Sequence, residues 1–155
     1  MNKTARSVRG FTLIEMLVVV AIIAILATIV FVSLDPVTRF ADARNSRRWN
    51  DVNSLLTAIH EYAIDNNGSL PTGISTTEQQ LGSCVTGGDG ACPGADPACL
   101  DLSISLLSVY LKSMPLDPSG GSIGTTKYTV VKNANNIVTV KACAAENGDT
   151  VEVSR

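Results

Sequence analysis

The chain has 155 residues, of which 45% are hydrophobic and 17% are charged, and its formal net charge is −2. This length allows one small domain and at most one membrane segment, and excludes a large multidomain protein. The mildly acidic balance argues against general nucleic-acid binding, which depends on a basic surface.

The first ten residues read as a basic leader. They contain Lys3, Arg6 and Arg9 and no acid, whereas the rest of the chain has nine Lys and Arg against fourteen Asp and Glu. A positive segment before a membrane span favours a cytoplasmic N-terminus and an exported C-terminal region. Arginines that follow the apolar stretch weaken this argument, because both of its flanks are then basic.

A continuous apolar stretch covers residues 11–34, in which the polar residues are Thr12, Glu15, Thr28 and Ser33. A helix of 24 residues is about 36 Å long, enough to cross a hydrocarbon core of ~30 Å. The main rival is a cleaved secretory signal, whose apolar core is shorter, at ~7–15 residues, and is followed by a small-residue cleavage site. We therefore predict a transmembrane helix over residues 11–34.

An amphipathic helix is predicted over residues 35–66. In its second half, apolar residues recur at steps of three and four, which places them on one face. Pro36 removes a helical hydrogen bond, so it either kinks the helix or starts a second segment capped by Asp35. Gly68 and Pro71 supply the stop signal.

Residues 67–155 are predicted to form a globular head. A long loop rich in Gly, Ser and Thr covers residues 67–99, and "CLDLSISLLSVYLKSMP" then predicts a short helix. Three β-type runs follow at 127–132, 136–143 and 150–154, joined by Asn- or Gly-containing turns, and predict an antiparallel three-stranded meander. Because one face of such a sheet must be covered, we expect the amphipathic helix to pack on it.

Four cysteines lie in the head, and none of their spacings is the C-x2-C of a zinc site. An even number in a small exported domain predicts two disulfides, with free thiols as the alternative. Four cysteines allow three pairings, among which the sequence does not choose. We favour Cys84–Cys92 and Cys99–Cys143, because Cys143 lies in a strand-like run to which one bond would pin the loop.

The residues from Arg9 to Ile25 resemble the N-terminal motif of type IV pilins and type II secretion pseudopilins, with "RG" before "FTLIEMLVVVAIIAIL". This resemblance implies a pilin fold, an α+β architecture in which a long N-terminal helix packs on a small three-stranded antiparallel sheet. Downstream, "YLKSMPLDPSGGSIGTTKYTVV" is similar to a pseudopilin segment with a Pro-x-Asp-Pro turn. Ser119-Gly120 stands where Trp-Gly usually follows, and this departure favours a pilus subunit.

The resemblance also implies processing and partners. Gly10 would be the last leader residue, and a prepilin peptidase would cut between Gly10 and Phe11 and methylate the new amine of Phe11. The subunit would begin as a single-pass protein of the cytoplasmic membrane with its head outside. It would then join an extracellular filament of its own copies, built by an assembly ATPase and a platform membrane protein.

Glu15 is the one acid in the apolar stretch. Near a helix N-terminus, the helix dipole favours a carboxylate by about 0.3–1 kcal/mol. Glu15 could also lie at the depth of the lipid headgroups, where a carboxylate costs little. A charge inside a bilayer is costly and usually has a partner, which here would be the amine of its own Phe11 or of a neighbouring subunit's Phe11. Our hypothesis is that Glu15 selects the axial register during assembly.

Other polar residues suggest no active site. His60 is the single histidine, and no nucleophile lies in a recognisable arrangement with a base, so we predict no catalytic residue and no enzyme activity. We also predict no cofactor and no metal site. The loop acids lack the ordered spacing of a calcium site and are interpreted as solvated: Asp89, Asp96, Asp101 and Asp117.

Arg44, Arg47 and Arg48 form a basic cluster in the sequence. We interpret it as forming salt bridges with acids of neighbouring subunits, and DNA binding is a minor alternative because only Trp49 offers a stacking aromatic ring nearby. The main functional prediction is a type IV pilus subunit that self-assembles through its hydrophobic helix. A type II secretion pseudopilin and a DNA-binding competence pilin are the alternatives.

Overall fold

The computed structural model describes residues 10–155, so the predicted leader lies almost entirely outside the described residues. The chain divides into two units, with the division after Arg39. Helix α1 (Leu13–Leu34) belongs to the first unit, and helix α2 (Pro36–Asp65) begins in the first and continues into the second. The helical region predicted over residues 11–66 is therefore present as two segments.

The two helices are separated by Asp35, whose backbone is left-handed with a φ of 39°. A residue in this conformation ends an α-helix, because a left-handed backbone cannot continue right-handed helical geometry. Pro36 suits the first position of the next helix, where its missing N–H would have no intrahelical partner. Asp35 Oδ2 accepts a hydrogen bond from Thr38 Oγ1 at 2.6 Å. Of the two outcomes predicted at Pro36, the structure has the new segment.

Helix α1 is apolar around its whole circumference, and none of its residues is buried in the single chain. Its 22 residues give a length of about 33 Å. Among the described residues it is the one helix long and apolar enough to cross a membrane, judged by length and composition. Such a surface is stable only in lipid or against other apolar helices.

The second unit contains a five-stranded sheet in the order β2-β1-β3-β4-β5. Strands β3 (Tyr128–Lys132), β4 (Val138–Ala142) and β5 (Glu152–Ser154) form the predicted antiparallel meander. Two further strands were not predicted. Strand β1 (Gln79–Leu81) pairs antiparallel with β3, and β2 (Asp96–Leu100) pairs parallel with β1. The sheet is therefore mixed, and part of the predicted loop belongs to it.

Two single helical turns flank β2, namely α3 (Gly88–Ala91) and α4 (Ser103–Leu106). The helix predicted in "CLDLSISLLSVYLKSMP" is limited to α4, and the first residues of that stretch belong to β2. Ser108 has a φ of 71°, which is incompatible with a continuing helix. Tyr110 and Leu111 nevertheless pack against the core.

The hydrophobic core lies between the second half of α2 and the sheet. The α2 side chains in it recur at helical spacing, and each is at most 1% exposed: Val52, Leu55, Leu56, Ala58 and Ile59. They pack in one cluster with Leu81, Leu102, Leu106, Tyr128, Val130, Val138, Val140 and Val151. Full burial of a large apolar side chain is worth about 1.5–3 kcal/mol, so this layer holds helix and sheet together. The predicted α+β, pilin-like arrangement is confirmed.

The cysteines form two disulfides in an interleaved order, Cys84–Cys99 and Cys92–Cys143. The prediction of two disulfides is confirmed, but both predicted pairings are wrong. The parallel pairing of β1 and β2 brings Cys99 beside Cys84, and the Cys99 N–H donates to the Cys84 carbonyl at 3.1 Å. Cys92 pairs with Cys143, which is the first residue after β4. This bond therefore attaches the long loop to the sheet.

Candidate assembly site

The residues predicted to be processed lie just before α1. Gly10 and Phe11 are both exposed on non-helical backbone, and 78% of Phe11 is accessible to solvent. A Cβ added to Gly10 would have no neighbouring atom within 4 Å. The peptide bond between the two residues is therefore open to a second protein, although its cleavage and the methylation of Phe11 stay predictions.

Thr12 and Glu15 cap the N-terminus of α1 reciprocally. Thr12 Oγ1 accepts a hydrogen bond from the Glu15 N–H at 3.3 Å. Glu15 Oε2 accepts from the Thr12 N–H and from the Thr12 hydroxyl, each at 2.8 Å. This capping box satisfies backbone donors that have no partner within the helix, and places the carboxylate at the positive end of the helix dipole.

Thr12 is a partner of Glu15 that the sequence reasoning missed. The two alternatives considered were the amine of the same Phe11 and that of a neighbouring subunit. A usable signal was present, because T-x-x-E before an apolar run is the sequence signature of a capping box. Within residues 10–155, Glu15 Oε1 accepts no hydrogen bond, so half of the carboxylate is available to a further donor.

The three arginines predicted as one basic cluster lie in three different environments. The Arg48 side chain is fully buried, that of Arg44 is 34% exposed, and that of Arg47 is 62% exposed. Neutralising DNA phosphates requires cations that reach the surface together. The structure does not bring these three guanidinium groups together on the surface.

Arg48 is the centre of a buried ion network. Its Nε and Nη2 donate to the two carboxylate oxygens of Asp117 at 2.6 and 3.0 Å, a bidentate arrangement. Its Nη1 donates to Asn45 Oδ1 and to Glu146 Oε2, each at 2.8 Å, and Nη2 also reaches Ser119 Oγ at 2.9 Å. Neither the Arg48 nor the Asp117 side chain is exposed, so each buried charge depends on the other.

Glu146 lies between two arginines of α2. Arg44 Nε and Nη2 donate to its two carboxylate oxygens, both at 2.7 Å, and Arg48 donates to one of them. The hydrogen bonds from Arg44, and secondly those from Arg48, lower the pKa of Glu146 to about 2. In turn, the Glu146 carboxylate raises the pKa of Arg44. Because each charge stabilises the other, the pair is ionised at neutral pH.

This network joins three parts of the head that are distant in sequence. Arg48 belongs to α2, Asp117 to the loop before β3, and Glu146 to the loop after β4. The prediction that Asp117 is a solvated loop acid is therefore wrong: it is 3% exposed, because Arg48 supplies the charge that makes its burial tolerable. Sequence spacing could not reveal this pair, because its members are 69 residues apart.

His60 lies near the end of α2 and has no assigned role. Its buried Nε2 atom has no hydrogen-bond partner within the described residues. It lines a cavity of about 480 Å³ together with Lys132, Asn136 and the 68–74 loop. Across residues 10–155, no group of three or more His, Cys, Asp and Glu side chains is placed to hold a metal ion. The absence of enzyme activity and of a metal stays a prediction.

Comparison with known proteins finds one family model and several relatives that resemble this chain. A family model described as "Prokaryotic N-terminal methylation motif" matches residues 5–31. The chain is 32% identical over 116 residues to Type II secretion system core protein G of Klebsiella michiganensis, covering 75% of this chain and 71% of that relative. It is also 32% identical over 112 residues to the protein of the same name from Escherichia coli, covering 72% of this chain and 67% of the relative. No solved structure matches.

Proposed function

This chain belongs to the family of type IV pilins and type II secretion pseudopilins, and within that family we propose that it is a pseudopilin of a type II secretion system. The observation that carries the proposal is its likeness to proteins named as core protein G of that system, at 32% identity. The alignments of 116 and 112 residues extend well beyond the methylation motif at residues 5–31.

The relatives favour the pseudopilin over the pilus subunit, which was the main prediction from the sequence. That prediction depended on Ser119-Gly120 in place of Trp-Gly. In the structure the Ser119 hydroxyl accepts from Arg48, and the Ser119 N–H donates to Asp117 Oδ1 at 2.7 Å. The replacement of Trp-Gly by Ser119-Gly120 is therefore explained by the buried Arg48 network of this head. It is no argument for a different kind of filament.

In the proposed mechanism, α1 has two successive environments. The apolar helix first anchors the subunit in the cytoplasmic membrane, with the head outside, and later packs against the same helix of other copies. Before processing, Thr12 donates two hydrogen bonds to Glu15, which lessens the cost of the carboxylate near lipid.

Processing would supply the second partner of Glu15. A prepilin peptidase cuts between Gly10 and Phe11, which frees a positively charged amine on Phe11. That amine, on a neighbouring copy, donates to the available Glu15 Oε1 and thereby selects the register between helices. The assembly ATPase and the platform protein of the secretion system are the remaining partners, and DNA is not among the partners proposed.

Deletion of the gene in its own host tests the proposal. We expect enzymes normally released into the medium to accumulate inside the cells, and secretion to return when the wild-type gene is restored. A matched strain carrying Glu15→Val should insert the protein in the membrane and still fail to secrete. Normal secretion in the deletion strain, together with loss of long surface filaments, would instead identify a pilus subunit.

A further inference from the structure

Charge is distributed unequally along α2. Residues 36–49 contain four arginines and one aspartate, whereas residues 50–65 contain three acids and no Lys or Arg. Within the head unit, Arg44 and Arg48 donate to acids of the ion network. Arg47 is the third arginine that α2 contributes to this unit, and it stays exposed, with 62% of its side chain accessible to solvent.

Arg47 has no short ion pair among the described residues. Its Nε lies 3.8 Å from Asp51 Oδ2, one turn further along α2. That same oxygen accepts the hydroxyl of Tyr128 at 2.7 Å, so the Asp51 carboxylate is already bound to a core tyrosine. An exposed i,i+4 contact of this length leaves the guanidinium available to a better acceptor.

The exposed acids of α2 lie along the same side of the helix as Arg47. Asp65 follows Arg47 by 18 residues, which is five full turns, and Glu61 follows it by 14, close to four turns. The rise of ~1.5 Å per residue separates these acids from Arg47 by about 27 and 21 Å. An ion pair needs ~4 Å or less, so Arg47 can meet Glu61 or Asp65 only when they belong to another copy.

The acidic end of α2 borders a groove. Glu61, Ile64 and Asp65 line one side, Val109 and Tyr110 line the other, and the volume between them is about 310 Å³. Ile64 and Val109 are 77% and 73% exposed, which is unusual for two apolar side chains that share a groove. The Tyr110 hydroxyl donates to Asp65 Oδ2 at 3.0 Å, so Glu61 is the acid here with the freer carboxylate.

The basic end of α2 offers a matching surface. Phe40 lies two turns before Arg47 on the same side of the helix and is 66% exposed, and the small residue Ala43 is exposed between them. One end of the helix therefore combines apolar side chains with a cation, and the other combines apolar side chains with acids. The two surfaces are complementary in both charge and polarity.

We propose that the surface formed by Phe40, Ala43 and Arg47 of one copy docks on the groove of a second copy, with Arg47 opposite Glu61. Two different surfaces of the same chain meet in this contact, and repetition of such a contact builds an open polymer rather than a closed dimer. Parallel copies joined in this way are offset by about 21 Å along α2. The inference rests on the proposed function, because it requires copies that assemble side by side.

Charge reversal in the full-length chain, expressed in its own host, tests this contact. The readout is the ladder of oligomers that appears on an immunoblot after chemical cross-linking of whole cells. Arg47→Glu and Glu61→Arg should each lose most of the ladder, and the double variant should regain it. Asp89→Arg, a reversal at an exposed acid of α3 outside the groove, is the matched control and should keep the ladder.

Cross-linking between two engineered cysteines tests directly whether these two surfaces meet. One copy carries Arg47→Cys, a differently tagged copy carries Glu61→Cys, and a short bismaleimide should join them into a dimer with both tags. An intact ladder in both single reversals, a double variant that stays deficient, or the absence of that dimer overturns the docking contact and leaves the pseudopilin proposal standing. A wild-type chain that gives no ladder overturns both.

Discussion

Arg48 and Asp117 form a bidentate ion pair in which neither side chain is exposed, with Nε–Oδ2 and Nη2–Oδ1 distances of 2.6 and 3.0 Å. The pair fastens α2 to the loop that precedes β3. That loop has little regular structure, and the Asp117 N–H donates to the Thr126 carbonyl at 3.1 Å. A Cβ on Gly121 would lie 2.4 Å from the Asp117 nitrogen, so the turn closes tightly around this acid.

Asp117→Ala should destabilise the protein strongly. Removing the carboxylate leaves the buried Arg48 charge without two of its hydrogen-bond acceptors. Breaking a buried ion pair in this way typically costs about 3–5 kcal/mol. The measurement is the free energy of unfolding of the full chain in detergent, from urea titration. Asp89→Ala, which alters an exposed acid, should stay within about 0.5 kcal/mol of the wild type. Equal stability of the two variants would show that the pair contributes little.

Stability should fall in acid because of Glu146. Its pKa is lowered from an ordinary value of 4.5 to about 2 in the folded protein. A group whose folded pKa is depressed contributes stability that is present above its unfolded pKa and is lost as the pH falls through its folded pKa. The free energy of unfolding should therefore decline between about pH 5 and pH 2, and Glu146→Gln should flatten that decline. An unchanged slope in the variant would assign the decline to other acids.

The interleaved disulfides predict a specific peptide map. Proteolysis of the unreduced protein should release Cys84 joined to Cys99, and Cys92 joined to Cys143. Replacing Cys92 and Cys143 together by Ser opens the longer of the two closed loops, and should lower stability by about 2–4 kcal/mol. Peptides that join Cys84 to Cys92 would contradict the parallel pairing of β1 and β2.

Two substitutions separate capping from assembly at the start of α1. Thr12→Val removes the hydroxyl of the capping box and keeps the Glu15 carboxylate, at a typical cost of ~1 kcal/mol to the helix. If Glu15 selects the register, Thr12→Val should still yield cross-linked oligomers, whereas Glu15→Val should insert in the membrane and yield none. Equal loss of oligomers in both variants would mean that the cap, and not the acid, is needed.

Features that depend on neighbouring residues were predicted well. The apolar stretch, the amphipathic period of α2, the break at Pro36 and the three C-terminal strands all correspond to elements in the structure. Their signals are short-range, because helical period, strand alternation and turn residues act over a few positions. The Thr12 cap belongs to the same class, and its four-residue signature was overlooked rather than absent.

Strands β1 and β2, the disulfide pairing and the burial of Asp117 were predicted wrongly or not at all. Strand β1 has three residues and lies among glycines, serines and threonines, so its pattern is too short to distinguish from a loop. It exists because β3 and β2 offer it backbone partners on both sides.

The amino-acid order alone therefore determined that the chain has an apolar helix of membrane length, an amphipathic helix and a C-terminal meander, since these follow from side-chain periodicity. Only the folded arrangement decided which cysteines meet and which arginine is buried. Both depend on how the elements pack together, since packing places Cys92 beside Cys143 and Asp117 beside Arg48 across 69 residues of chain. Contacts over such separations form when the core packs, and no local pattern records them.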